Sequence, residues 1–187
     1  RYARHAPHWL PSSGVALMNW DDFSSLQEVC SGVDIVIHAA GMNALDCASN
    51  SSQALAVNGL ATSRLINAAS IAGVTRFIYL STAHVYANPL TGIISEESCP
   101  RNLHPYATSH LAGENAVLSA NENGLIEGVV LRLSNAFGAP VDEDVNCWTL
   151  LVNDLCRQAA ISGKLKLHSS GMQRRDFISM HDVETVY

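Results

Sequence analysis

Short apolar runs alternate along this chain with longer stretches in which apolar residues return every three to four positions. Residues 34–38 (DIVIH) and 77–80 (FIYL) are continuous apolar runs of the kind that fills a parallel sheet buried on both faces. Residues 125–133 form a further strand with a glycine and two adjacent valines, and 15–18 is a shorter candidate. Residues 1–7 read as a strand tail entering a turn. Helical spacing appears at 21–30 and again across 51–72, where Leu55, Ala61, Leu65, Ala68 and Ala69 share one broad face. Gly73 stands where a left-handed cap would end that helix. Residues 106–120 predict a helix with Leu111, Val117 and Leu118 turned inward, and 148–162 another, followed by a short strand near Lys166. Pro89, Gly92, Pro100 and Pro105 mark 90–105 as a loop.

Strand and helix in strict alternation imply right-handed crossovers and a doubly wound α/β fold with a parallel sheet. The pattern changes character after Pro140, so residues 1–140 and 141–187 are expected to be distinct regions. In such sheets ligands bind beyond the carboxyl ends of the strands. Three of these ends carry small or polar residues: His38-Ala39-Ala40-Gly41, Ser81-Thr82-Ala83-His84 and Ser134-Asn135-Ala136-Phe137-Gly138. Small residues there let a ligand approach the backbone closely.

Composition narrows the function. The 187 residues are 48% hydrophobic and carry a net charge of −6, which disfavours a basic nucleic-acid-binding face. No apolar run approaches the ~20 residues that cross a bilayer. Cys30, Cys47, Cys99, Cys147 and Cys156 contain no C-x-x-C pair and read as reduced core thiols of a cytoplasmic protein. The sequence has no G-x-S-x-G elbow, no G-x-x-x-x-G-K-[ST] loop and no H-E-x-x-H, which disfavours a hydrolase, a P-loop NTPase and a metal site. The first residue is Arg1, and Tyr187 falls inside a continuing pattern, so a fragment is expected.

The stretches DIVIHAAG (34–41), VNGLATSRLINAA (57–69), RFIYLSTAHVYA (76–87), PYATSHLAGENAV (105–117), VVLRLSNAFGAP (129–140) and RRDFISMHDV (174–183) run in order along nearly the whole chain. Together they resemble the extended short-chain dehydrogenases/reductases, the NAD-dependent epimerase/dehydratase group acting on nucleotide sugars. The resemblance implies a Rossmann-like dinucleotide-binding region over 1–140 and the start of a smaller substrate-binding lobe over 141–187. The family's glycine-rich phosphate turn is not within this sequence. The resemblance further implies NAD or NADP as cofactor and a nucleotide-sugar substrate, with no nucleic acid and no membrane as partner. It also implies a homodimer through the helices carrying Tyr106 and Leu65. Arg4 is placed where a 2′-phosphate would be read. Asn19 and Trp20 are placed at the adenine, and Ala39, Ala40 and Gly41 along the ribose and pyrophosphate. Asn58 matches a helix asparagine expected to be a structural hydrogen-bonder.

The family acts through a Ser or Thr, a Tyr base and a Lys four residues after it. Thr82 and Tyr106 match the first two; the third position is His110. The four-residue spacing puts Tyr106 and His110 on one helix face, both near catalysis and cofactor. Lowering a phenol from about 10 toward 7 takes about 4 kcal/mol of anion stabilisation. A histidine, mostly neutral at pH 7, supplies less than an ammonium unless neighbours hold it charged; it could still bond to a ribose hydroxyl. Thr82, His84, Asn135 and Arg175 are expected at the substrate, Arg175 as a planar fork for its pyrophosphate. The family's dehydratases carry Asp-Glu where this chain has Ala83-His84, which points away from water elimination. The sequence therefore implies a sugar-nucleotide epimerase or reductase. The alternative is a non-catalytic dinucleotide-binding relative, with His110 marking lost chemistry.

Overall fold

The computed structural model describes residues 8, 10–87, 89–141, 145 and 147–185. The strand tail expected over 1–7 and the cofactor residue Arg4 lie outside the described residues.

Asp22 opens α1 (Phe23–Cys30) by accepting the N–H of Ser24, satisfying a donor that the first helical turn leaves unpaired. The sheet follows. β1 (Ile35–His38) pairs in parallel with β2 (Arg76–Thr82), Ile35 opposite Arg76 and His38 opposite Tyr79. β3 (Glu127–Leu133) lies on the other side of β2. Between β1 and β2 run α2 (Ala44–Ser49), α3 (Ser51–Ala54), a π-helical stretch (Leu55–Leu60) and α4 (Ala61–Ala72). Between β2 and β3 runs α5 (Pro105–Glu122). Strands linked by helices, with parallel pairing, give the expected α/β architecture.

The core joins α1, α4 and α5 to one side of the sheet through Leu26, Leu65, Ile66, Phe77, Tyr79 and Val117. This one-sidedness corrects the reading of DIVIH as buried on both faces. Val36 and His38 turn toward the helices, whereas Ile35 and Ile37 are 49% and 52% exposed. Residues 15–18 form no strand; no described strand pairs with them, and Val15 and Leu17 are exposed. The helical face predicted for 51–72 is also modified. The wider π turn takes an extra residue, burying Asn58 and Gly59 while leaving Leu55 half exposed. Ala61, Leu65, Ala68 and Ala69 are buried, and Gly73 closes α4 at φ 85°. In α5, Val117 faces the core, but Leu118 is exposed and Leu111 half-buried. The inward face belongs instead to Ser109, His110, Gly113 and Glu114. Of the expected core thiols only Cys30 and Cys47 are buried; Cys99 and Cys156 are exposed.

A second compact unit begins at Leu133, so the division precedes the one expected after residue 140. The reason is pairing: β4 (Asn135–Phe137) runs parallel to β5 (Phe177–Ser179) in a separate two-stranded sheet. α6 (Leu151–Ser162) and α7 (Met180–Glu184) complete this unit. No strand forms at Lys166. Its N–H donates to Gln158 Oε1 at 2.7 Å and its carbonyl accepts from Gln158 Nε2 at 3.3 Å, so a helix side chain takes the place of a ladder. No helix among the described residues is long and apolar enough to cross a membrane.

Candidate active site

Local caps deliver the catalytic candidates to the carboxyl end of β2. The chain leaves that strand at Thr82, whose hydroxyl oxygen accepts the N–H of His84 at 3.1 Å and starts a 3₁₀ turn, Ala83–Val85. The following loop is pinned back on this turn. Asn102 Nδ2 donates to the carbonyl of His84 at 2.7 Å, and Arg101 N–H to that of Tyr86 at 3.0 Å. His104 then caps α5, its Nδ1 accepting the N–H of Tyr106 at 3.2 Å, with Pro105 in the first turn. Tyr106 thus enters the helix beside the end of β2, near enough to Thr82 for that hydroxyl to favour its phenolate. His110 lies one turn on, its ring edge-on to that of Tyr106 with centroids 4.6 Å apart. The three residues expected to act together are together.

The electrostatics differ from a lysine-bearing site. Burial pushes the Tyr106 phenol above its ordinary value; Thr82 acts against this and the Cys47 thiol adds to it. His110 is only 6% exposed, and burial lowers it to about 4 despite Glu114 one turn away. Neighbours therefore do not hold this imidazole charged. Its Nδ1 lies 3.0 Å from the Tyr79 hydroxyl. Burial also brings His38 to about 4, with His110 contributing, while its Nε2 bonds to Thr62 Oγ1 at 2.9 Å. Behind these neutral groups lies a charged one. Arg132 reaches both carboxylate oxygens of Glu114, the shortest contact being 2.7 Å, and donates to Tyr86 at 2.6 Å. Ser81 donates to the same carboxylate.

Asn58 links β1 to α5. Its Oδ1 accepts the N–H of Met42 at 2.8 Å and its Nδ2 donates to Ser109 at 3.0 Å, matching the structural role expected of it. Ala39, Ala40 and Gly41 follow β1 and are exposed. A Cβ on Gly41 would lie 3.1 Å from Asn58 Oδ1 and 3.8 Å from His110 Cε1. A bare, exposed backbone running past His110 fits a dinucleotide that must lie close to the main chain. Asn19 is exposed and caps a turn through Asp21 N–H; Trp20 is half-buried, its ring 5.8 Å from that of His38. Among the described residues, no group of three or more His, Cys, Asp or Glu could hold a metal ion.

In the second unit the two expected substrate residues meet: Arg175 donates to Asn135 Oδ1 at 3.3 Å, and Asn135 Nδ2 to the carbonyl of Asp176 at 2.9 Å. Beside α6 an apolar cavity of about 520 Å³ is lined by Phe137, Pro140, Trp148 and Val152. Tyr79, Cys47 and Arg132 were not identified from sequence. One signal for Tyr79 is present in FIYLST, where strand alternation puts Phe77, Tyr79 and Ser81 on one face.

Residues 3–187 match the NAD dependent epimerase/dehydratase family. The chain is 33% identical over 152 residues to dTDP-D-glucose 4,6-dehydratase of Mus musculus, covering 81% of this chain and 41% of that protein. It is 40% identical over 110 residues to dTDP-6-deoxy-L-talose 4-dehydrogenase (NAD(P)(+)) of Kitasatospora kifunensis, covering 57% and 33%. It resembles the solved structure of MoeE5 in complex with UDP-glucose and NAD, with a TM-score of 0.71 and 30% identity over 87% of this chain and 54% of that one. The solved structures it resembles are Rossmann-fold enzymes. The chain thus spans about two fifths of the mouse relative and about half of the MoeE5 chain. From its matched residues, its parallel strands and its fold, the chain belongs to the NAD dependent epimerase/dehydratase family.

Proposed function

We propose that this chain is part of an NAD(P)-dependent sugar-nucleotide epimerase or reductase in which Tyr106 takes the proton of a sugar hydroxyl. The observation that carries this reading is the meeting of Thr82, Tyr106 and His110 at the carboxyl end of β2. A nicotinamide held there would supply hydride transfer to or from the carbinol carbon. Ala39, Ala40 and Gly41 line its path, and His110 bonds to a ribose hydroxyl. Thr82 orients the substrate hydroxyl and stabilises the Tyr106 anion. Asn135 and Arg175 hold the substrate's sugar and pyrophosphate. Ala83 and His84 offer no acid–base pair of carboxylates for removing water, which favours epimerase or reductase chemistry over that of the mouse relative. The proposed enzyme works in the cytoplasm as a homodimer.

The test is turnover by the complete protein with NAD or NADP and a panel of UDP-, GDP- and dTDP-sugars. An epimerised or oxidised sugar with at least one of them is the expected result. A specific observation favours a second reading, a dinucleotide-binding relative without catalysis. Burial lowers His110 to about 4 and raises Tyr106, the reverse of what a phenolate base needs. Tight binding of dinucleotide with no turnover of any sugar would select it.

A further inference from the structure

Tyr79 is 1% exposed at the centre of β2, between two histidine rings. His38 lies 5.5 Å from it and His110 5.9 Å, both close to parallel with it. Its hydroxyl has room because α5 carries glycine at 113, where a Cβ would lie 2.8 Å from that oxygen and 2.6 Å from the carbonyl oxygen of Asn58. The phenol has two acceptors in reach, His110 Nδ1 at 3.0 Å and the Asn58 carbonyl at 3.4 Å. The imidazole nitrogen is both the nearer and the more basic of the two, so the phenol proton goes to it. A neutral imidazole that accepts at Nδ1 carries its proton on Nε2. That second nitrogen hydrogen-bonds to nothing among the described residues. No buried side-chain nitrogen or oxygen among them lacks a partner, so Nε2 lies on the reachable side of the ring.

We infer that Tyr79 is a positioning residue: its hydroxyl holds His110 Nδ1 inside the fold and so presents Nε2–H as a fixed, uncharged donor toward the dinucleotide's ribose. This deepens the reading given above and rests on it for the identity of the acceptor. A lysine in the same slot would bring a charge; the Tyr79–His110 pair brings a directed hydrogen bond instead. Burial supports the arrangement, because it keeps the imidazole neutral at physiological pH.

The test uses the complete protein labelled with 15N-histidine, His110→Gln identifying the signals. In the unmodified protein the expected spectrum is one tautomer, with His110 Nδ1 unprotonated and Nε2 protonated. Tyr79→Phe keeps the ring packing, should mix the tautomers, and should weaken NADH or NADPH binding about fivefold, the equivalent of one hydrogen bond. A protonated Nδ1 in the unmodified protein, or an unchanged tautomer in Tyr79→Phe, overturns the inference. Mixed tautomers with unchanged dinucleotide affinity overturn the role toward the ribose. If the unmodified protein binds neither dinucleotide, the oxidoreductase reading falls, while the nitrogen spectra still decide what Tyr79 does.

Discussion

His110 and Glu114 sit one turn apart on the same face of α5, both buried, and their surroundings treat them oppositely. Glu114 is fully enclosed, yet Arg132 forks onto its two oxygens and Ser81 adds a third donor. Its pairing in turn raises the Arg132 guanidinium further above its ordinary value. His110 faces a phenol on either side, Tyr79 and Tyr106, and no group of opposite charge touches it. Burial therefore decides its state, and it is neutral. Enclosure alone does not discharge a side chain; enclosure without a charged hydrogen-bonding partner does. The polar stripe of α5 thus has a charged half that locks β2 to β3 and a neutral half that borders the proposed chemistry.

The charged half should break hardest. Arg132→Met leaves the Glu114 carboxylate enclosed with only Ser81, and removing one partner of a buried pair costs about 3–5 kcal/mol. A thermal or urea melt of the complete protein should show that loss, and the double variant Arg132→Met, Glu114→Gln should recover a large part of it. A single variant as stable as the parent would show that the pair contributes nothing to the fold.

The neutral half should respond to acid. His38 and His110 lie near 4 in the folded protein against about 6.5 for an unperturbed imidazole. Below pH 6.5 the unfolded chain binds protons that the folded one refuses, so stability falls with pH until the folded groups themselves titrate near 4. Each histidine contributes up to about 3 kcal/mol to that fall. Urea midpoints from pH 7 to 4 measure it, and replacing either histidine by Asn should flatten the slope. A slope that stays flat in the parent would mean that the imidazoles are charged in the folded state.

Much of this arrangement was legible as pattern. The resemblance singled out Thr82, Tyr106, His110, Asn135 and Arg175; four-residue spacing added that Tyr106 and His110 share a helix face, the sheet pattern that Thr82 ends a strand, and Gly73 was read as a cap. What escaped depends on contacts distant in sequence. The π turn at Leu55–Leu60 rotates the helical face without any change in apolar spacing. Ile35 and Ile37 look like core residues, but α1, α4 and α5 join the core through Val36 and the opposite face of β1. Leu118 yields its place to Gly113 and Glu114 because the inward face of α5 meets Tyr79 and Arg132, partners that spacing within the helix does not reveal. A strand tyrosine reads as packing until the histidine beside it is known.

The comparison sharpens most at one substitution with a smaller effect. His110→Lys puts a cation where the neutral donor stands, one turn before Glu114 and one turn after Tyr106. In the parent, burial keeps the phenol above its ordinary value of about 10, so the base is a minority species at neutral pH. Activity limited by its deprotonation should then climb about tenfold per pH unit through the neutral range. A nearby ammonium favours the phenolate, which moves that limb to lower pH. A shift of about one unit would raise kcat/KM at pH 7 by up to about tenfold. The pH profiles of parent and variant, measured with the same sugar nucleotide, give the sign. Collapse of activity in the lysine variant would instead assign the imidazole a duty that charge cannot replace, and a limb that does not move would remove Tyr106 from the role of base.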